Sequence, residues 1–258
     1  MDKLKKSANR IHFLDELRGF AVFCMVFYHA FFIIGDFFEI KIANDLFEFF
    51  MPVEPMFAGL FIAICGISCS LSRSNLKRGL ILLGIALGMT AVTVGILPAL
   101  GMDGLQIKFG ILHFLSVSIL IYSLIRKKIN RFNPYIGIII CAVLYPFTSG
   151  IEQGRLNFGE LLFFNIPDFL YKTDWLMPLG IYSPTFFSGD YFPIFPNVFI
   201  FFAGVFIGRY FSAAGFPEWT YQKRCGFFSF LGKKALIIYV AHMPIIFGAA
   251  YLLDIILR

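Results

Sequence analysis

Apolar positions in this chain gather into long runs instead of alternating with polar ones. Seven stretches carry few charges, at roughly 15–35, 56–72, 79–100, 109–125, 134–148, 193–212 and 234–256. Runs of about 20 apolar residues predict helices that cross a bilayer. The connections between them alternate in character. Segments 73–78 and 126–133 are short and basic, whereas about 36–55 and 149–192 are long and hold most of the carboxylates. A loop as long as 149–192 predicts a functional element rather than a simple connector. No internal repeat is visible, so the inverted-repeat transporter pattern is not suggested.

Composition turns this pattern into a class. Of 258 residues, 59% are hydrophobic, 15% are charged and 35 are Phe. That leaves too little polar surface to cover a soluble fold. Disorder, a coiled coil and a nucleic-acid module are excluded on the same ground. The expected architecture is an all-α polytopic membrane protein, a bundle of about seven transmembrane helices forming a single domain over 1–258. The net charge of +6 is a topology signal. With residues 1–14 cytoplasmic, 17 of the 22 Lys and Arg fall on the inner side, which predicts N-inside insertion and makes 149–192 extracytoplasmic. Twelve acidic residues, from Asp36 to Asp254, then fall on the outer side. Such a surface suits neutral polar or cationic groups. Lys3, Lys5 and Lys6 precede an apolar run, but Asp15, Glu16 and Arg18 interrupt it where a signal peptide needs its apolar core, so a retained first span is expected. The five cysteines form no CxxC pair, and no metal site is predicted.

Ionisable residues inside spans are functional suspects. Arg18 and His29 lie eleven positions apart, which returns a helix to within about 20° of the same face and separates them by roughly 16 Å. Asp15 lies one turn from Arg18, within ion-pair reach. His113 sits near the outer end of the fourth span, with Ser116 on its face. His242 precedes Pro244, where a kink frees backbone carbonyls that the imidazole could satisfy. Asp190 and Tyr191 stand before the sixth span, where the carboxylate either caps that helix or binds an acceptor. Trp175, Tyr171, Tyr182 and Tyr191 fit an interfacial aromatic belt as well as sugar stacking.

The wording around these residues is informative. Leu14-Asp15-Glu16-Leu17-Arg18-Gly19 followed by His29 resembles the Arg-x10-His opening of the transmembrane acyltransferase superfamily. Phe109-Gly110-Ile111-Leu112-His113, Gly189-Asp190-Tyr191-Phe192-Pro193 and Leu231-Gly232-Lys233-Lys234 through Tyr239 to His242-Met243-Pro244 follow in order. The ordered set is similar to the heparan-α-glucosaminide N-acetyltransferase-like branch in its compact bacterial form. That resemblance implies transfer of an acyl group, acetyl above all, from cytoplasmic acyl-CoA to an extracytoplasmic carbohydrate or amino sugar, in a bacterial cytoplasmic membrane. It places Arg18, Asp15, Lys233 and Lys234 on the acetyl-CoA side, His29 and His113 in catalysis, and Asp190, Tyr191 and His242 near the acceptor. Direct transfer and an acyl-histidine both remain open. Because no histidine lies between His29 and His113, an acyl-histidine would form on one of those two. The competing reading is a small proton- or anion-responsive transporter, or a non-catalytic accessory protein, using the same Asp15, Arg18 and His29.

Overall fold

A computed structural model describes residues 10–99, 101, 104–158 and 162–257. The basic Lys3, Lys5 and Lys6, with the rest of 1–9, lie outside the described residues, as does the side chain of Asp254. Among the described residues, nine helices of eight residues or more carry the architecture: α1 His12–Phe32, α2 Lys41–Phe50, α3 Glu54–Leu71, α4 Asn75–Thr90, α5 Ile111–Ile129, α6 Pro134–Thr148, α7 Ile194–Ala214, α8 Gly226–Lys233 and α9 Ala235–Leu257. Among the described residues, six helical stretches are long and apolar enough to cross a membrane: His12–Asp36, Lys41–Leu71, Asn75–Ala99, Pro134–Gln153, Ile194–Ala214 and Ala235–Leu252. The protein is an integral membrane protein. The seventh expected span is α5, whose last turn holds Arg126, Lys127 and Lys128, so its uncharged part is short. Large apolar side chains such as Phe27, Leu80, Ile139, Ile237 and Leu252 are exposed along these helices, as lipid-facing positions require.

The chain forms two compact units. One combines the residues up to Ile64 with those from Gly215 onward, and the other is Cys65–Ala214. In the first, α1 packs against α8, α9 and α2. The α2 helix corrects the reading of 36–55 as a loop. Its Asn44, Asp45 and Glu48 depress the hydropathy, yet Ala43, Phe47 and Phe50 recur at helical spacing. Phe47 lies 4.9 Å from the Tyr28 ring and 5.4 Å from Phe32, and Phe50 stacks 6.0 Å from Phe31. Amphipathicity, invisible to a search for unbroken apolar runs, makes this helix.

In the second unit, α5 packs against α4, and α6 against α7. The Asn133 side chain caps α6 by accepting from the Tyr135 N–H at 2.9 Å, with Pro134 at the first helical position where its missing N–H costs nothing. The 149–192 segment contains the only strands among the described residues, an antiparallel pair β1 Arg155–Phe158 and β2 Leu162–Asn165 in which Arg155 faces Asn165. Irregular chain with three short 3-10 turns, at Ile151–Gln153, Asp168–Lys172 and Met177–Leu179, fills the rest.

Candidate functional site

At the start of α1, the buried Asp15 carboxylate accepts from Arg10 Nε at 2.6 Å and from Arg18 Nη1 at 3.2 Å. Arg18 is thus held by an acid one turn below it, in the geometry expected from the sequence. The neighbouring Glu16 turns the other way. Its Oε1 accepts the backbone N–H groups of Arg224, at 2.7 Å, and Cys225, at 3.0 Å, anchoring the segment that leads into α8. Helix contact here is backbone to backbone. A Cβ on Gly19 would run into the Phe228 carbonyl, and one on Gly232 into the Asp15 carbonyl. The Arg18-Gly19 and Leu231-Gly232 wording therefore carries packing as well as chemistry. Lys233 and Lys234, at the exposed end of α8, flank this glycine contact. Around the same end, the Arg224 guanidinium covers the Trp219 ring at 5.4 Å.

Eleven residues further along the unbroken α1 lies His29, half-buried. Its Nδ1 is 2.9 Å from Nε2 of His242 on α9, and the ring centroids are 4.9 Å apart. The Nδ1 of His242 in turn lies 2.6 Å from the Tyr239 carbonyl oxygen. His242 is 6% exposed and Tyr239 4%, so the pair is backed by packed protein. Nε2 of His29 makes no hydrogen bond among the described residues. This two-histidine contact joins residues 213 positions apart, which no spacing rule could reveal. Tyr239, singled out only as part of the last motif, is the backbone end of the chain.

The histidine of the second unit is placed differently. His113 Nδ1 accepts the Gly110 N–H at 3.2 Å, and its Nε2 lies 3.1 Å from Thr90 Oγ1. The Thr90 hydroxyl donates to the Ile107 carbonyl at 2.8 Å, so Oγ1 receives the proton of His113 Nε2. Both ring nitrogens are engaged. Ser116 donates to the His113 carbonyl at 2.7 Å rather than to the ring. Asp190 caps a helix distant in sequence: its Oδ2 accepts from the Ile111 N–H of α5 at 3.2 Å. The Phe192 N–H also donates to the Phe109 carbonyl, and the Gly189 N–H to that of Gln106. Two motifs about 80 positions apart thus close on each other.

The tyrosines of 149–192 are committed within their own segment. Tyr191 donates to the Met177 carbonyl at 2.6 Å, Tyr182 to Glu152 at 2.8 Å, and Tyr171 to the Ile151 carbonyl. Burial, then the Glu152 contact, pushes the Tyr182 hydroxyl up to about 12. Burial likewise raises Tyr191. These phenols stay protonated and act as donors. Asp174 is held below the usual carboxylate range by hydrogen bonds from the Ser183 hydroxyl and N–H. Trp175, 89% exposed, remains the outward-facing ring of the segment.

Residues 10–244 match the family described as heparan-alpha-glucosaminide N-acetyltransferase, catalytic. The chain belongs to this family. Membership makes the protein a membrane acetyltransferase by descent, of a family that uses acetyl-CoA. No curated protein and no solved structure matches the chain significantly. The matched span includes Arg18, His29, His113, Asp190 and His242, so every motif singled out above lies within the family's catalytic region.

Proposed function

We propose that this acetyltransferase-family protein moves an acetyl group from cytoplasmic acetyl-CoA to a carbohydrate or amino-sugar acceptor on the far side of the membrane. The observation that carries this reading is α1 itself. One unbroken helix bears an acid-held arginine near its start and, eleven residues on, a histidine with an uncommitted ring nitrogen. The basic residues of the inner side favour docking of the polyanionic donor there. Arg18 meets the donor, assisted by Lys233 and Lys234, while Asp15 fixes the guanidinium. His29 Nε2 removes the proton from the acceptor hydroxyl or amine as that atom attacks the thioester carbonyl. The new C–O or C–N bond forms, the C–S bond breaks, and the CoA thiolate takes the proton back from His29. Direct transfer needs only one histidine at the reacting atoms, which agrees with His113 being tied at both nitrogens. Asp190 serves by holding the 149–192 segment against the start of α5, and Tyr191 by tying that segment to itself at Met177.

The test is thermal stability of the purified protein with and without acetyl-CoA, for wild type and Arg18→Ala. A saturable upward shift in wild type, lost in Arg18→Ala, is expected. Indifference of wild type to acetyl-CoA, longer acyl-CoAs and free CoA overturns the donor assignment and favours the transporter or accessory reading.

A further inference from the structure

We infer that His242 is a positioning residue that sets the tautomer of His29, so that His29 presents an unprotonated Nε2. The base role of His29 rests on the function proposed above, whereas the tautomer assignment stands on the geometry alone. A carbonyl oxygen only accepts, so the 2.6 Å contact between His242 Nδ1 and the Tyr239 carbonyl requires the proton on Nδ1. A neutral imidazole carries one N–H, so Nε2 of His242 is an acceptor. Its partner at 2.9 Å is Nδ1 of His29, which must therefore be the donor. By the same count, the lone pair of His29 is on Nε2.

This matters because a neutral histidine side chain in water favours the opposite arrangement, with the proton on Nε2. The hydrogen bond at one ring nitrogen decides the proton at the other. Left to itself, His29 would turn an N–H toward the acceptor and could not receive a proton there. The Tyr239 carbonyl, His242 and His29 form a relay of orientation through which no proton need pass. It follows the logic of a base held in its working form by a third group. Here the orienting group is a second imidazole pinned by main chain instead of a carboxylate. That choice places no second charge in the membrane interior, where charge is costly. The exposure of only 6% at His242 and 4% at Tyr239 keeps water from competing for the Tyr239 carbonyl.

The test reads the tautomer directly. The chain has four histidines, so nitrogen-15 histidine labelling of the full-length protein in detergent, assigned with His29→Gln, resolves the His29 signals. Wild type is expected to show His29 protonated on Nδ1, and His242→Phe to shift its proton to Nε2. In acetyl transfer, His242→Phe should lower kcat by about a hundredfold with the KM for acetyl-CoA unchanged. His242→Gln, whose side-chain carbonyl can accept from His29 Nδ1, should stay within about threefold of wild type. His29 protonated on Nε2 in wild type overturns the inference, and so does a tautomer unmoved by His242→Phe. So does a His242→Gln variant as slow as His242→Phe. Should wild type transfer no acetyl group and ignore acetyl-CoA, the enzymatic reading fails while the nitrogen spectra still decide the role of His242.

Discussion

Both His29 and His113 sit in apolar helices of a membrane protein, and both belong to motifs of one family, yet their ring nitrogens are used differently. His113 is clasped at each nitrogen, by Gly110 and by Thr90. Among the described residues, His29 is held at Nδ1 alone. An imidazole bound on both sides works as a clamp, because moving a proton would first break a buried hydrogen bond. An imidazole bound on one side is oriented and still able to take a proton. Catalytic promise in a histidine is therefore a matter of how many of its nitrogens the fold has already claimed, more than of which motif surrounds it.

The sharpest way to break this contrast is His29→Ala. Acetyl transfer should fall by about 10²–10⁴-fold, the range of a lost general base, with the melting temperature little changed. The matching change, His113→Ala, should act on stability instead. It leaves the Gly110 N–H without its acceptor, at a cost of about 1–3 kcal/mol readable by thermal unfolding, while turnover per folded molecule is kept. A turnover loss in His113→Ala as large as in His29→Ala would erase the distinction. A smaller effect is expected from Asp190→Ala, about 1 kcal/mol as for other lost helix caps, with Asp190→Asn retaining part of it. The smallest concerns the 149–192 segment. Asp174 titrates below its ordinary value in the folded protein, so its contribution is complete above the usual carboxylate range and vanishes as pH falls through the lowered value. Trp175 fluorescence should change only below about pH 4, and Asp174→Asn should flatten that change.

The sequence reveals those parts of the molecule that depend on neighbours along the chain. The apolar run at 134–148 coincides with α6, because Asn133-Pro134 marks a helix start unambiguously. The Asp15–Arg18 pair follows from one turn of helix. What depends on residues far apart stays hidden. No periodicity joins His29 to His242, Glu16 to the Arg224 and Cys225 amides, or Asp190 to Ile111, since each contact is set by how helices pack. The α2 helix escaped for another reason: three polar side chains broke its apolar run while leaving its apolar face intact. Gly19 and Gly232 were visible as motif letters, but their purpose, letting two backbones touch, needs both helices in place.

The clasp between α1 and α8 has a consequence for how the protein is made. Glu16 is synthesised 208 residues before its partner Arg224, and the intervening chain includes a whole compact unit that is continuous in sequence, Cys65–Ala214. That unit can assemble while the chain is still growing. The partners of the Glu16 carboxylate and of the Gly19 surface, the Arg224 and Cys225 amides and α8, are synthesised after that unit. A chain stopped before residue 215 would display an unpaired glutamate and an uncovered glycine groove in its first span. The α1 helix thus acquires its α8 contacts only after the chain of that unit has been made.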